Sequence, residues 1–318
     1  MQAKNIYLDK YILNVRLGRI GGGRGGWFSA ARGVLLAVVG VVLLVGAGRC
    51  GADMQVQGYS PSVNDRFNDS TSFLGEGYNF SGVGNSSGAA GTGVWGTMVS
   101  PQYFVSASHA YPGPGTALTF YSTNNANGPS YTGIVASGTP IIDAAGNYTD
   151  LWLGELTAPI PASADIAYYP IGYSANGNYD GLGIYVYGVP NRLGYNHIAA
   201  TAMQPLGVQN GTEISESLYS DGFDPLPGGL EEAYLQPGDS GGPEFAVVDG
   251  ALALVGTNSF INGYESGAVL VPYYLPQIQA LMNLTGAQAA IAAVPEPGAV
   301  WILGVGLGLF LVPRRRAA

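Results

Sequence analysis

A serine stands in Gly238-Asp239-Ser240-Gly241-Gly242-Pro243, with glycine on both sides of it. Glycine tolerates positive φ, so the backbone can turn tightly enough to aim the N–H groups of Gly238 and Ser240 at one point beside the hydroxyl. A nucleophile and an oxyanion stabiliser in one turn is the equipment of acyl transfer. A serine hydroxyl is weak on its own and requires a positioned base. The chain has two histidines, His109 and His197. An imidazole base in turn requires a carboxylate to orient it, and Asp150 and Asp165 are the candidates. By residue type alone, both choices stay open.

The hexapeptide resembles the nucleophile motif of the chymotrypsin/trypsin-like serine proteases. The resemblance runs over roughly residues 80–285 and includes the segment from Gly96 to Ala110, in which a strand, a Ser100-Pro101 turn and a second strand lead to Ala107-Ser108-His109-Ala110. It implies the chain order His, Asp, Ser and so selects His109. His197, which follows both aspartates in Tyr195-Asn196-His197-Ile198, is expected to be a loop histidine. Asp150 opens Asp150-Leu151-Trp152-Leu153, similar to the family's Asp-aliphatic-x-Leu segment, and lies 41 residues after His109 and 90 before Ser240. Asp165, in Ala164-Asp165-Ile166-Ala167, lacks that downstream pattern.

What the resemblance implies is a set of roles. Ser240 attacks a carbonyl, His109 takes and returns the proton, Asp150 orients His109, and the N–H groups of Gly238 and Ser240 form the oxyanion hole. Tyr234 falls on the floor of the primary specificity pocket, Ser259 and Phe260 on the strand that binds substrate, and Gly267 at the pocket rim. A floor without an aspartate gives no support for a preference for Arg or Lys. The family uses the residue at Asp239 to bind a freshly cut apolar N-terminus. No Ile-Val-Gly-Gly-like sequence stands about forty residues before His109, where Asn68-Asp69-Ser70-Thr71 is found instead. Asp239 is therefore expected to be satisfied by local donors, with no proteolytic activation. No cofactor and no metal is implied.

The elements that must position these residues read as short strands between turns. Val94–Val99, Tyr103–Ala107, Ala117–Tyr121, Ile184–Tyr187 and Ala251–Val255 are rich in β-branched and aromatic residues, with pairs such as Asn127-Gly128 and Gly146-Asn147 as breaks. A strand is also expected near Tyr78-Asn79-Phe80 and a short helix over Leu275 to Met282. The fold class is all-β, and the resembled fold is two packed six-stranded β-barrels with a short C-terminal helix. Composition agrees: of 318 residues only 10% are charged, while 50 are glycine, 21 tyrosine and 20 proline, which suits turns and strands better than helices. The single cysteine, Cys50, permits no internal disulfide.

Charge is segregated. Ten of the twelve Lys and Arg residues precede residue 50 or follow residue 313. Nineteen acidic residues from Asp53 to Glu265 against Arg66 and Arg192 leave the body at about −17, which argues against nucleic acid as a partner.

The basic stretch before Arg32, followed by the apolar run Val34–Val45, has the grammar of a signal peptide, with cleavage near Ala52. At the other end come Val294-Pro295-Glu296-Pro297, an apolar segment from Gly298 to Val312 and Arg314-Arg315-Arg316. This end resembles the PEP-CTERM sorting tail of Gram-negative bacteria. It implies transient membrane insertion, an exosortase-type sorting enzyme and the export machinery as partners, and a place in the envelope, at the surface or in the matrix. The expected organisation is a leader over 1–52, a loose lead-in over 53–90, a trypsin-like serine protease domain over 91–285 and a sorting tail over 286–318. The expected function is that of an exported serine endopeptidase acting on proteins or peptides. The alternative is a catalytically weak protease-fold protein serving as a surface or matrix binding module.

Overall fold

The computed structural model describes residues 52–209, 212–222, 231–262 and 265–294. Both apolar terminal runs, over 34–45 and 298–312, lie outside the described residues. No helix among the described residues is long and apolar enough to cross a membrane.

The first half is built from β1 (Gln55–Val56), β2 (Val83–Asn85), β3 (Trp95–Met98), β4 (Tyr103–Ala107), β5 (Ala117–Tyr121), β6 (Ser130–Ile142) and β7 (Tyr148–Leu156). The second half holds β8 (Ile171–Tyr173), β9 (Gly183–Gly188), β10 (Arg192–His197), β11 (Ala200–Gln209), β12 (Thr212–Gly222) and β13 (Ala233–Tyr234). It continues through β14 (Pro243–Val248), β15 (Ala251–Asn262), β16 (Glu265–Leu270) and β17 (Ile291–Ala293). A one-turn helix α1 spans Pro61–Asn64, and α2 spans Leu275–Met282 over the range expected from sequence. Ile278 and Met282, four apart on one face of α2, are both buried.

Strands β2, β3, β4, β7, β6 and β5 pair antiparallel in that order, and Asn85 opposite Thr119 returns the circuit from β2 to β5. The later strands run β10-β9-β14-β15-β16-β12, with β11 as a hairpin on β12. Two-residue periodicity then sorts the side chains. On β4, Phe104 enters a core with Met98, Leu118, Phe120 and Leu156, while Tyr103 and Val105 turn the other way. On β14, Ala246 joins Ile184, Val186, Val255 and Leu270, while Phe245 turns the other way. The outward sets meet: Tyr103, Val105, Leu151 and Leu153 share a third core with Tyr187, Val189, Phe245 and Leu254. Each strand run thus has its own interior, and a common apolar layer fixes one against the other.

Two readings of the lead-in differ from the sequence expectation. The strand expected near Tyr78-Asn79-Phe80 begins only at Val83, as β2, and those three residues form a turn instead. The Tyr78 N–H donates to the Gly75 carbonyl at 3.0 Å, and the Asn79 Oδ1 accepts the Ser81 N–H at 2.9 Å, an Asx-type turn that competes with extended pairing. Nor is the segment loose. Met54, Arg66, Phe73 and Phe80 are buried, and Arg66 donates to the Asn124 side chain and to the carbonyls of Tyr121 and Thr123.

Candidate active site

His109 sits on a single 3-10 turn, Ser108–Ala110, that begins where β4 ends. The register of β4 with β7 sets Ala107 opposite Leu151, which brings Asp150 alongside that turn. Tyr111, just past the turn, stacks on Trp152 with ring centroids 3.9 Å apart and planes 17° from parallel, so the turn is pinned to β7 from its far side as well.

Ser240 arrives from the other strand run. Its loop ends at β14 and is held by β15: the Gly241 N–H donates to the Asn258 carbonyl at 2.9 Å, and the Asn258 N–H to the Gly242 carbonyl at 2.8 Å. The Asn258 side-chain amide donates to the carbonyls of Tyr187 at 2.9 Å and Asp239 at 3.2 Å. Gly241 has φ +87°, and a Cβ there would lie 2.7 Å from Ser106 Oγ. That close approach requires glycine, and it sets the residue after Ser240 against the strand end before His109.

The structure brings three of the sequence candidates together. His109 Nδ1 lies 2.6 Å from Asp150 Oδ2, and His109 Nε2 lies 2.8 Å from Ser240 Oγ. The backbone N–H of His109 donates to Asp150 Oδ1 at 2.8 Å, so the carboxylate grips both the ring and the peptide of one residue. Asp150 is an acceptor only. It therefore selects the neutral tautomer with the proton on Nδ1 and leaves Nε2 as an acceptor facing the serine hydroxyl. The His109 side chain is 43% exposed and that of Asp150 only 4%, so the ring bridges a buried carboxylate and an accessible hydroxyl.

Gly238 is exposed with φ +114°, the left-handed region that admits glycine readily. Its carbonyl accepts the indole N–H of Trp95 at 3.2 Å. Among the described residues, neither the Gly238 N–H nor the Ser240 N–H donates to a backbone carbonyl.

The remaining candidates lie elsewhere. Asp165 is an exposed left-handed residue that ends the 3-10 turn Ala162–Ala164. His197 is exposed at the end of β10, with its ring edge-on to Tyr195 at 5.4 Å. Tyr234 is half-buried in β13, opposite Gln55 of β1. Phe260 faces Gly267 across β15 and β16, with its ring directly over the glycine Cα. Among the described residues no cluster of three or more His, Cys, Asp or Glu side chains could share a metal ion.

Three participants escaped the sequence reading. The side chain of Ser259, assigned from the resemblance to substrate binding, turns inward and donates to Asp150 Oδ2 at 2.6 Å. It is the extra residue of a β-bulge, since Asn258 pairs with Ala268 and Phe260 with Gly267. Trp95 and Asn258 hold the Ser240 loop from two sides. No local pattern marks any of them, because their partners are 109, 143 and 19 residues away in the chain.

Asp239 is buried, and both its oxygens are filled by backbone donors, Val189 N–H on Oδ1 at 2.7 Å and Gln236 N–H on Oδ2 at 2.5 Å. Burial pushes its carboxyl up to about 7, against the pull of these donors and of Arg192. Glu244 in β14 is buried and raised well above the usual range by burial, and its Oε2 has no partner among the described groups.

No protein-family model matches this sequence, and no curated protein matches it. Among solved structures the chain is similar to kallikrein-related peptidase 10, with a TM-score of 0.41 and 13% sequence identity. The match covers 59% of this chain and 88% of that one.

Proposed function

We propose that this chain is an exported serine endopeptidase of the trypsin-like type, with Ser240 as nucleophile, His109 as general base and acid, and Asp150 as the group that orients His109. The observation that carries the reading is the unbroken line Asp150 Oδ2, His109 Nδ1, His109 Nε2, Ser240 Oγ, with links of 2.6 and 2.8 Å. As Ser240 Oγ attacks the carbonyl carbon, its proton passes to His109 Nε2, and Asp150 stabilises the imidazolium. The oxyanion accepts from the N–H groups of Gly238 and Ser240. His109 then gives the proton to the leaving amine, and water repeats the sequence on the acyl-enzyme.

The reading extends to architecture and location. The closed circuit of six strands and the later run of six support two β-barrels with the site between them. Tyr234, Ser259 and Phe260 are proposed to line the substrate site, Ser259 through its backbone while its hydroxyl serves Asp150. The catalytic domain is read as residues 91–285, between a leader over 1–52 with its adjoining segment 53–90 and a sorting tail over 286–318 for an exosortase-type enzyme. Hydrolysis of a peptide library tests the activity. Ser240→Ala is expected to lower kcat by roughly four to six orders of magnitude while leaving the thermal midpoint in place. Full hydrolysis by the variant would overturn the proposal.

A further inference from the structure

The stretch that leads into the Ser240 loop is braced by the segment that directly follows the predicted leader. Strand β1 pairs with β13, Gln55 opposite Tyr234 and Val56 opposite Ala233. The Gln57 N–H donates to the Glu232 carbonyl and the Glu231 N–H to the Gln57 carbonyl, each at 2.8 Å, so the pairing is continuous from Glu231 to Tyr234. Two residues later the turn begins: the Gln236 N–H goes to Asp239 Oδ2, and the Asp239 N–H returns to the Gln236 carbonyl at 3.0 Å. Gly238 lies inside that turn.

Met54 closes the same unit from beneath. It is fully buried, its N–H donates to the Val189 carbonyl at 2.9 Å, and the Val189 N–H donates to Asp239 Oδ1. Gly188 is wedged between them, since a Cβ there would lie 2.4 Å from Asp239 Oδ1 and 2.8 Å from Met54 Sδ. Arg192 locks the arrangement. Its Nη1 donates to the Met54 carbonyl at 2.7 Å, Nε to Asp65 Oδ1 at 3.0 Å and Nη2 to Asp53 Oδ2 at 3.3 Å, with the guanidinium 3.9 Å over the Tyr59 ring. Arg192 and Arg66 are the only cationic side chains from residue 50 to residue 313, and both are buried as anchors of the lead-in.

Resting on the reading of Ser240 as the nucleophile, we propose that Met54 and Arg192 are positioning residues, and that the strap Asp53–Gln57 presets the oxyanion turn with no amino-terminal ammonium paired to Asp239. Asp239 needs no ammonium, because backbone N–H groups already occupy both its oxygens. Met54 is docked while Asp53 continues into Ala52. Gly238 takes its positive φ without a Cβ penalty, and the surrounding contacts select that conformation over the others open to glycine. Loss of the Met54 side chain keeps the main-chain pairing but empties the core it shares with Ala233 and Leu235 beneath Gly188, and the turn relaxes away from the geometry in which both N–H groups converge.

The test compares Met54→Gly, Met54→Leu and an N-terminally extended wild-type protein. Met54→Gly is expected to lower kcat about tenfold or more with KM little changed, and to speed amide hydrogen exchange at Gln236 and Asp239. Met54→Leu refills the socket and restores both, and the N-terminal extension changes neither. The proposal is overturned if folded Met54→Gly keeps wild-type kcat and exchange protection, or if the extension abolishes turnover. If Met54→Gly does not fold, Arg192→Lys takes its place, since one ammonium cannot serve Asp65, Asp53 and the Met54 carbonyl together. A wild-type protein without hydrolysis would defeat the nucleophile reading, and the exchange comparison would still decide the strap.

Discussion

Replacing Asp150 by asparagine exchanges one oxygen for an NH2 group and, on this geometry, should move one proton to the wrong nitrogen. Asp150 Oδ1 accepts the backbone N–H of His109, while Oδ2 accepts from His109 Nδ1 and from the Ser259 hydroxyl. The backbone group can only donate, so in Asp150→Asn the amide oxygen has to remain on its side. The amide NH2 then faces Nδ1, which becomes an acceptor, and the ring proton moves to Nε2. There it points at Ser240 Oγ, 2.8 Å away, and the imidazole can no longer take the serine proton. The Ser259 hydroxyl can rotate to accept from the new NH2, so no donor is left facing a donor and the fold should survive. The cost of a wrongly held tautomer is about 10⁴-fold in kcat, or roughly 5.5 kcal/mol of barrier. Steady-state kinetics on a peptide substrate should show that loss in kcat with KM nearly unchanged, and circular dichroism should show an unchanged fold. A variant within tenfold of wild-type kcat would refute the assignment of Asp150.

Three further outcomes follow from neighbouring contacts. Ser259→Ala removes one charge-assisted hydrogen bond from Asp150 and is expected to lower kcat roughly tenfold; unchanged kinetics would show that Asp150 holds His109 without it. Trp95→Phe keeps the buried ring and deletes the donor to the Gly238 carbonyl, so kcat should fall by about three- to thirtyfold with KM nearly constant, and a KM-only effect would count against an oxyanion role. The third concerns pH. Asp239 and Glu244 have raised carboxyls, so the folded state binds more protons than the unfolded chain, and the stability they contribute is full below about pH 4 and lost as pH rises, through about 7 for Asp239. Glu244→Leu deletes one such group and its unpartnered oxygen. Its advantage over wild type in urea unfolding should widen between pH 5 and pH 8, to roughly 1–3 kcal/mol, and a margin independent of pH would refute the reasoning.

What was readable in the sequence, and what was not, divides along contact range. Glycine on both sides of Ser240, the turn and strand before His109, and the alternating residues after Asp150 are local patterns, and the structure brings those three residues together. The helix over Leu275–Met282 was equally local, with its apolar residues on one face. The lead-in had no periodicity to read. Met54 and Arg66 dock in separate places while Phe73 and Phe80 pack edge-to-face in one core, so a stretch rich in Ser, Asn and Gly reads as loose although it is anchored at several points. At Tyr78-Asn79-Phe80, strand propensity lost to the side-chain turn made by Asn79. The resemblance put Ser259 on the strand that binds substrate but gave no hint of its hydroxyl's bond to Asp150, which comes from a bulge between Asn258 and Phe260, and a bulge has no signature in these residue types. The acidic body hides its two arginines in the same way, because both are held by lead-in and loop carbonyls and neither is bonded to Ser240.

Covalent labelling with a fluorophosphonate, mapped by mass spectrometry on the purified protein, decides whether Ser240 is an activated nucleophile. One adduct per chain is expected, on the peptide containing Ser240, absent in Ser240→Ala and greatly slowed in Asp150→Asn. An unlabelled wild-type protein, or an adduct that persists in Ser240→Ala, would contradict that assignment.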